Sequence, residues 1–452
     1  MIPRASFSAF AVPVALALGA VAACSSKEEV TLALSTGGES EVFSREPAPA
    51  KLVVDAIDVS TGAVTNLTTV ALPASNVDLG DQNTTPLIRV RANAVDAAGR
   101  VLVTGTSVAV QLGALEGRTL PIFVQRTSEL ARMPAPLDDT REAPLLASVS
   151  DRYLIVAGGA NPANATKTQI YDFASLAPLE KPPTLPRAPK SLAARGASLL
   201  LVDDAGATEF SLADSASRDL TAPEGGTFAE VSGGATVRAP DGSLYIVGGT
   251  RTGAPTARVL KIGADGSMAF ASLITARAGA AAVWAPGRGL VVAGGSEAGA
   301  GIELLAAGAT ATTALPYPAD AVRGAAAAAL DGARIVLGGG LAPADASTPA
   351  AANGAPTRLI DLGCTANCKA VVWDAAKLPT ALTFAQAFEL GTDAALVVGD
   401  DATGLSHAFR IAQQGATEIP FKVAHRGVRG VRVNPPAITF AGGHGTLESF
   451  AP

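Results

Sequence analysis

Side chains that commonly carry chemistry are scarce in this chain of 452 residues. It has three cysteines, three histidines and two tryptophans, and aromatic residues make up 4% of the total. No paired-histidine metal motif, nucleophile elbow or phosphate-binding glycine loop occurs. We therefore expect no catalytic residue, no cofactor and no metal site in this protein.

A basic run is also missing. Lysine and arginine number 34 against 40 acidic residues, which leaves a net charge of −6. Such a chain binds nucleic acid poorly, because binding depends on cationic side chains that neutralise phosphates. The few aromatic residues also offer little surface for stacking bases. We therefore expect no nucleic-acid partner.

The N-terminus has the composition of an export signal. Arg4 supplies a positive start, and residues 7–18 are apolar but too short for a permanent membrane span. The run Val21-Ala22-Ala23-Cys24 resembles the bacterial lipobox. That resemblance implies a lipoprotein signal peptide over residues 1–23 and lipidation of Cys24. The alternative is an ordinary signal peptide followed by a chance cysteine.

Lipidation predicts a location in the bacterial cell envelope. The two or three acyl chains of a mature lipoprotein anchor it stably, whereas one chain does not. Ser25 follows the cysteine. By resemblance to enterobacterial sorting, the absence of a retention aspartate there favours the outer membrane, with the protein facing the periplasm or the surface.

Two cysteines remain, Cys364 and Cys368, in the run Cys-Thr-Ala-Asn-Cys. Exported chains meet an oxidising compartment, so we predict a disulfide between them. Its short loop limits the stabilisation to about 2 kcal/mol. The alternative is a metal site, but two cysteines lack the further ligands that zinc requires.

The residues after Cys24 divide into a tether and a small domain. Residues 24–50 are rich in Gly, Ser, Glu and Pro, apart from a short apolar run at 30–34. Later segments alternate apolar and polar residues between turns, as in 87–95 and 101–105. This alternation predicts a small, Ig-like β-sandwich at 28–119.

The rest of the chain repeats one pattern, an apolar run that ends in a pair of glycines or acids. The seven pairs begin at residues 158, 203, 248, 294, 339, 400 and 442. The spacings are 45, 45, 46, 45, 61 and 42 residues. A period of this size indicates a repeat architecture.

The pattern resembles kelch repeats, in which a strand ends in Gly-Gly. WD-type repeats carry a recurrent Trp-Asp instead, and Trp373-Asp374 occurs only once here. Tyr171-Asp172 also resembles the tyrosine-aspartate strand of the kelch family. The resemblance covers residues 120–452 and implies a galactose-oxidase-like, seven-bladed β-propeller. We expect an all-β chain and a monomer.

The repeats also predict details of each blade. Alanine and glycine crowd the first strand of several repeats, as in residues 323–330, which fits an innermost strand with little room around it. Glycine pairs allow positive φ or a close backbone approach. Aspartate tolerates positive φ better than most residues. We therefore expect Asp203-Asp204 and Asp400-Asp401 to replace glycine in conformation, with calcium ligation as the alternative.

Two irregularities concern the ends of the ring and its fifth repeat. Too few residues follow position 443 for a complete last blade. We predict that residues around 122–131 supply its outer strand, which closes the ring and removes exposed edges. The insertion at 341–367 has two readings, a recognition loop or a tolerated extension.

An arginine recurs 16 or 17 residues before five of the pairs, at Arg141, Arg187, Arg277, Arg323 and Arg426. At the start of the first strands, these side chains would share a face with Arg251. A ring of guanidinium groups attracts carboxylates or phosphates, and some kelch domains hold acidic peptides in this way. The alternative is a structural arginine paired with nearby acids or backbone carbonyls.

These patterns favour a lipid-anchored, non-enzymatic binding scaffold. Its expected partners are the membrane, through the lipid, and an envelope protein or an acidic or glycan ligand. The alternatives are a propeller-type hydrolase or oxidase and a purely structural envelope protein.

Mass spectrometry of the mature protein tests the N-terminal prediction. We expect the first residue to be Cys24 with acyl chains on its thiol and its amine, because the lipobox directs cleavage before it. A mature chain that carries an unmodified thiol at Cys24 would contradict this prediction.

Overall fold

The structure is a computed structural model that describes residues 30–74, 77–79, 86–115, 117–251, 253–296, 299–319, 321–341, 354–433 and 436–452. Cys24 and the signal peptide lie outside these residues. The regular secondary structure of the described chain is almost entirely β-strand. Four short 3₁₀ helices lie at Leu112–Leu115, Pro162–Asn164, Phe228–Glu230 and Asp374–Ala376. No helix in these ranges has the length and apolarity to cross a membrane.

Two sheets form an N-terminal unit. Its strands are β1 Thr31–Ser35, β2 Lys51–Asp58, β3 Val64–Ala71, β4 Val77–Asp78, β5 Ile88–Val95, β6 Val101–Thr106, β7 Thr119–Phe123 and β8 Gln125–Arg126. The orders are β4-β1-β7 and β3-β2-β5-β6-β8. β1 and β7 pair in parallel, and the other pairs are antiparallel. Alternate side chains of both sheets enter one apolar core, as the period-two pattern of β5 predicts.

The N-terminal unit extends beyond the predicted boundary at 119, whereas its first strand begins at Thr31, inside the predicted range. β7 and β8 pair with its sheets, so its strands continue to Arg126 rather than ending at 119. The predicted tether is also tied down in its second half. The Arg126 guanidinium donates to the carbonyls of Val42 at 3.2 Å, Arg45 at 2.9 Å and Pro47 at 3.0 Å. One buried cation thereby fixes a segment whose composition resembles a loose linker.

Seven further sheets follow, each antiparallel. Sheets 1 to 3 contain β10 Leu145–Val149, β11 Tyr153–Ala157, β12 Thr168–Asp172 and β13 Ala177–Pro178; β14 Ser191–Arg195, β15 Ser198–Val202, β16 Ala207–Ser211 and β17 Ser217–Leu220; β18 Ala235–Arg238, β19 Leu244–Val247, β20 Thr250–Arg251, β21 Ala254–Ile262 and β22 Met268–Arg277. In sheet 3 the order is β18-β19-β21-β22, and β20 extends β21 as a hairpin.

Sheets 4 to 7 repeat the same plan. Their strands are β23 Ala281–Ala285, β24 Gly289–Ala293, β25 Glu303–Ala306 and β26 Thr313–Ala314; β27 Arg323–Ala329, β28 Arg334–Leu341, β29 Arg358–Asp361 and β30 Val371–Val372; β31 Thr383–Glu389, β32 Ala394–Asp400, β33 Ser406–Ala412 and β34 Gly415–Glu418; β35 Arg429–Arg432, β36 Ile438–Ala441 and β37 Glu448–Phe450. Sheet 7 takes its fourth strand from β9, Leu130–Arg132.

The seven sheets stand around a common axis in a propeller-like fold. The first strands of successive sheets contact one another from β10 to β31, and β35 contacts β10. Gln386 of β31 joins β35 by accepting from the Gly430 amide at 2.7 Å. The first strands are therefore innermost, as their alanine content predicts. Small side chains are needed there because the strands converge.

The second strands show why the repeats are apolar without alternation. Leu199 and Leu201 of β15 enter the core between sheets 1 and 2, whereas Leu200 and Val202 enter the core between sheets 2 and 3. A strand with a sheet packed on each face buries both sets of side chains. Each pair of neighbouring sheets shares one such cluster, including sheets 7 and 1.

The segment before the first repeat and the last strand of the chain pair with each other and close the ring. β9 pairs antiparallel with β37, with Leu130 opposite Phe450 and Arg132 opposite Glu448. The outer strand of the last sheet therefore comes from before the first repeat, as predicted. It lies at the end of the predicted range 122–131, because residues 119–126 belong to the N-terminal unit.

Glycine pairs meet the backbone constraint expected of them. Gly295 has φ +77°, and a Cβ there would lie 2.8 Å from the backbone of Ala280. Gly249 has ordinary φ, but a Cβ would lie 2.7 Å from the Val231 carbonyl carbon. Both the positive φ and the close approach therefore occur at these pairs.

The acid pairs do not replace glycine in conformation, and that expectation is wrong. None of the four aspartates has positive φ. Asp203 accepts through Oδ1 from the amides of Ala205 and Gly206 at 2.8 and 2.9 Å. Asp401 accepts likewise from Thr403 and Leu405 at 2.8 and 3.0 Å. These aspartates build their own turns, because a side-chain carboxylate satisfies the amides of the next residues.

The predicted disulfide is confirmed. Cys364 and Cys368 are bonded, with Cα atoms 5.9 Å apart, in the turn between β29 and β30. Cys368 is buried in the core between sheets 4 and 5. The bridge therefore fixes this turn against the core. Residues 342–353 of the insertion lie outside the described residues.

Two glycine substitutions separate conformational strain from steric overlap. Gly279→Ala meets open space at φ +64°, so it should cost about 1–2 kcal/mol. Gly295→Ala adds overlap with Ala280 and should cost at least about 3 kcal/mol in total. Urea unfolding of both variants measures the difference. Equal costs would show that close approach is unimportant at the glycine pairs.

Candidate functional site

A central channel of about 1050 Å³ runs between the seven innermost strands. Alanine is the most frequent residue in its wall and comes from β10, β14, β18, β23, β27 and β31, among other segments. Charged side chains also line it, and these are Lys190, Arg238, Arg429, Arg432 and Asp151. The innermost strands pair on one side only, so their other edges turn backbone amides and carbonyls toward the channel. The wall therefore combines small apolar side chains with many polar backbone groups.

Most of the wall charges are paired. Lys190 contacts Asp204 at 2.5 Å, and Arg432 contacts Glu389 at 3.1 Å. Arg238 donates to the carbonyl of Ala194. These contacts fix the charged side chains against the wall, which keeps the channel open.

The two mouths of the channel differ. At one mouth, which we call the glycine-pair mouth, the first strands begin and the second strands end, close to Gly295 and Gly443. The opposite mouth includes Asp151, which pairs with Arg89 of the N-terminal unit at 2.7 Å. The N-terminal unit thus contacts the molecule at the opposite mouth.

Phe384 stands at the glycine-pair mouth in an unusual conformation. Its φ is +50°, a value that side-chain-bearing residues rarely adopt. The register of β31 against β32 shifts between Thr383 and Gln386, so Phe384 lies in a bulge. The side chain is 69% exposed, the largest exposure among the large hydrophobic residues that the structure describes. Backbone strain and an exposed aromatic ring coincide here, as they do at many binding sites.

Arg429 lies beside this ring and lines the channel. Its guanidinium carbon is 5.5 Å from the Phe384 ring centroid, within cation–π range. Nη1 donates to the Val428 carbonyl at 2.7 Å and lies 3.5 Å from Asp400 Oδ2. Burial lowers the pKa of Arg429, although Asp400 acts against this. Ser406 donates to Asp400 at 2.6 Å and holds that carboxylate in place.

The predicted arginine ring does not form as a set of exposed groups. Arg141 and Arg277 are buried, with 4% and 0% exposure. Arg141 contacts Asp139 at 2.9 Å and donates to the Lys167 carbonyl at 2.7 Å. Arg277 donates to the Gly294 carbonyl at 2.8 Å and to Glu303 at 2.5 Å. These contacts match the structural alternative.

The remaining arginines take varied positions. Arg187 bridges Asp203 at 2.9 Å and Asp219 at 3.1 Å. Arg426 donates to the Thr403 carbonyl at 2.8 Å. Arg251 and Arg323 are exposed, and each has a partner. Because Arg141 and Arg277 are buried and committed to partners within the chain, the six predicted arginines do not form a ring of exposed guanidinium groups.

Sequence reasoning missed a buried pair that recurs in two sheets. Glu303 accepts from the amides of Ile274 and Thr275 at 2.7 and 3.1 Å, besides its contact with Arg277. Glu303 is 1% exposed. Glu303 lies at the start of the third strand. Through Arg277 it links the residues that precede the first strand with the glycine pair that ends the second strand.

In sheet 7 a histidine takes the place of the arginine. His425 contacts the Gly442 carbonyl through Nδ1 at 2.6 Å and Glu448 through Nε2 at 3.2 Å. Glu448 accepts from the amides of Lys422 and Val423, both at 2.9 Å. His425 stands 17 residues before its pair, like Arg277. A strict spacing of 17 residues would have selected His425, whereas the recurrence of arginine selected its neighbour Arg426.

His444 is exposed beside His425, with ring centroids 6.2 Å apart, and His407 lies on β33. His407 contacts Glu418 at 2.9 Å and Asp401 at 3.3 Å. Burial lowers the pKa of His407, but hydrogen bonds to the two carboxylates outweigh it, so the pKa is raised. Within the described ranges, no group of three or more His, Cys, Asp or Glu side chains could hold a metal ion.

Comparisons with known proteins give weak similarities. No protein-family model matches the chain, and no curated protein does. The chain is similar to the Pan2 WD40 domain of Neurospora crassa, with TM-score 0.46 and 8% identity over 72% of this chain and 96% of that one. It is similar to YCF48 bound to D1 peptide, with TM-score 0.46 and 12% identity over 72% and 97%. It is also similar to TolB from Acinetobacter baumannii, with TM-score 0.37 and 13% identity over 76% of this chain and 78% of that one. Similarities at this level carry no argument about function.

Glu303→Gln tests the buried pair. Removing one charge leaves Arg277 buried without its partner, and we expect a loss of about 3 kcal/mol or more at neutral pH. Burial alone would raise the pKa of Glu303, but hydrogen bonds from Arg277, Thr312 and Ile274 lower it overall. A carboxylate with a lowered pKa stabilises the fold above its unfolded value and loses this effect as the pH falls.

The loss should therefore shrink as the pH falls below 4.5, the ordinary pKa of the group. Glu129→Gln is the control, since Glu129 pairs with Arg45 while both are more than a third exposed. It should cost less than about 1 kcal/mol. Equal losses in both variants, measured by denaturant unfolding, would contradict the assignment.

Proposed function

We propose that this protein is a lipid-anchored component of the bacterial cell envelope that works as a non-enzymatic binding scaffold. Its seven sheets are the blades of a seven-bladed, kelch-type β-propeller, and the N-terminal unit is a small, Ig-like β-sandwich. Cys24 carries the lipid, and the protein lies at the outer membrane. The proposed ligand is an acidic or glycan group, or an envelope protein that presents one.

Three observations support the kelch type. The glycine pairs end the second strands of sheets 1, 3, 4, 5 and 7. A buried arginine or histidine joins the first glycine of the pair to an acid on the third strand in sheets 4 and 7. The last sheet is completed by β9 from the N-terminal side. These features are expected of a single repeat unit that recurs around a closed ring.

The packing of the N-terminal unit supports the sandwich. Leu32 and Ile122 of one sheet and Val54 and Val90 of the other lie in a single core. Two sheets that bury one face each are the defining arrangement of a sandwich. The unit would place the propeller at a distance from a lipid on Cys24.

One observation carries the binding role, the exposed ring of Phe384 beside the largely buried Arg429 at the mouth of an open channel. An exposed aromatic ring loses water contact only when a ligand covers it, which is a favourable step. Ligand sites in proteins combine such apolar surface with a few placed polar groups. The glycine-pair mouth has this combination, and the N-terminal unit contacts the opposite mouth.

Site-specific photo-cross-linking in intact cells tests the scaffold. A photoreactive amino acid at position 384 should capture one envelope component, because the mouth is the binding surface. The same group at Ile274, which is 62% exposed on the outer strand β22, should capture none above background. Equal capture at both positions, or none at 384, would contradict the proposed function.

A further inference from the structure

We propose that the glycine-pair mouth binds an acidic saccharide, with a sugar ring stacked on Phe384 and its carboxylate held by Arg429. This inference rests on the proposed function and names the ligand class of the same site. It follows from three properties of the mouth, which are the chemistry of the channel wall, the open ring of Phe384 and the unused donors of Arg429.

The channel wall selects for a ligand rich in hydroxyl groups. The inner edges of seven first strands present amides and carbonyls without strand partners. Donors and acceptors alternate along each edge. A hydroxyl group both donates and accepts, so a saccharide can satisfy such a wall in many orientations. An extended peptide alternates its own donors and acceptors and needs a register with one edge.

Phe384 supplies a flat surface for the apolar face of a sugar ring. Arg429 approaches the ring at 5.5 Å from its centroid, and the side chain is nevertheless 69% exposed. The bulge at Thr383 directs the ring out of the β31–β32 ladder. An exposed aromatic ring that is already held in place loses little conformational freedom when a ligand binds. The entropic cost of association is therefore low.

Arg429 supplies the fork for a carboxylate. Its contacts within the described chain use Nη1 alone, on Val428 and Asp400. Nε and Nη2 make no hydrogen bond to any described residue. A guanidinium edge with two parallel donors matches a carboxylate in a bidentate pair. The Arg429 side chain is 18% exposed, so water competes little for this edge.

The preference for an acid rests on Arg429, because Lys190 at the same mouth is paired with Asp204. The aromatic ring and the guanidinium together therefore define an anionic, ring-shaped ligand. A uronic acid, whose carboxylate is attached directly to the sugar ring, has this shape.

Titration calorimetry with trigalacturonate and the full mature chain tests the inference. We expect saturable binding that weakens with added salt. Phe384→Ala should weaken it about tenfold, which corresponds to about 1.4 kcal/mol of lost stacking. Arg429→Gln should weaken it at least tenfold, because a charge-assisted hydrogen bond is lost. Ile274→Ala is the control and should bind like the natural chain.

Two further variants distinguish a loss of binding from a loss of folding. Phe384→Tyr should retain binding, since it preserves the ring. Arg429→Lys retains the charge but loses the fork, so it should bind several-fold more weakly while its unfolding temperature stays close to that of the natural chain.

The matched probes are maltotriose, a neutral trisaccharide, and hexaglutamate, an acidic peptide. Maltotriose should bind at least tenfold more weakly than trigalacturonate. Equal binding of maltotriose, or binding of hexaglutamate alone, would overturn the inference while leaving a binding scaffold in place. No cross-linking at position 384 in cells would instead remove the proposed function itself.

Discussion

Seven innermost strands converge on one axis, and this geometry limits which side chains the other strands can carry. Strands that close with their edges toward a channel leave little room, and the innermost strands are accordingly rich in alanine, as in β27. The second strands are then enclosed on both faces and must be apolar throughout, as in β15. The same closure requires a partner for the last sheet, which β9 provides.

The buried charged side chains of the seven sheets stabilise the fold rather than bind a ligand. Arg277 and His425 each join a glycine carbonyl to an acid, in sheets 4 and 7. Buried charges need such partners because desolvation is costly. Side chains held in these buried pairs cannot also bind a ligand. The surface available for recognition is therefore found where the repeat is irregular, at the bulge of Phe384.

The sequence predicted those features that repeat or that depend on adjacent residues. The strand runs, the alanine-rich inner strands, the disulfide and the origin of the closing strand all follow from local pattern and period. The acid pairs were misjudged because tolerance of positive φ says nothing about the amides that a carboxylate reaches two residues later. The strands of the N-terminal unit continue past 119 because β7 finds its parallel partner in β1, far back along the chain.

The all-β repeat, its period and the residues that end each second strand can be read from the sequence alone, since these depend on side-chain size and backbone freedom at single positions. Which charged groups remain available to a ligand is set by contacts between distant strands. Whether an arginine binds a ligand or a carbonyl depends on neighbours from other strands, and for Arg277 the partner is Glu303, 26 residues away. The register shift that exposes Phe384 next to Arg429 is likewise a property of strand pairing, which no single stretch of the chain encodes.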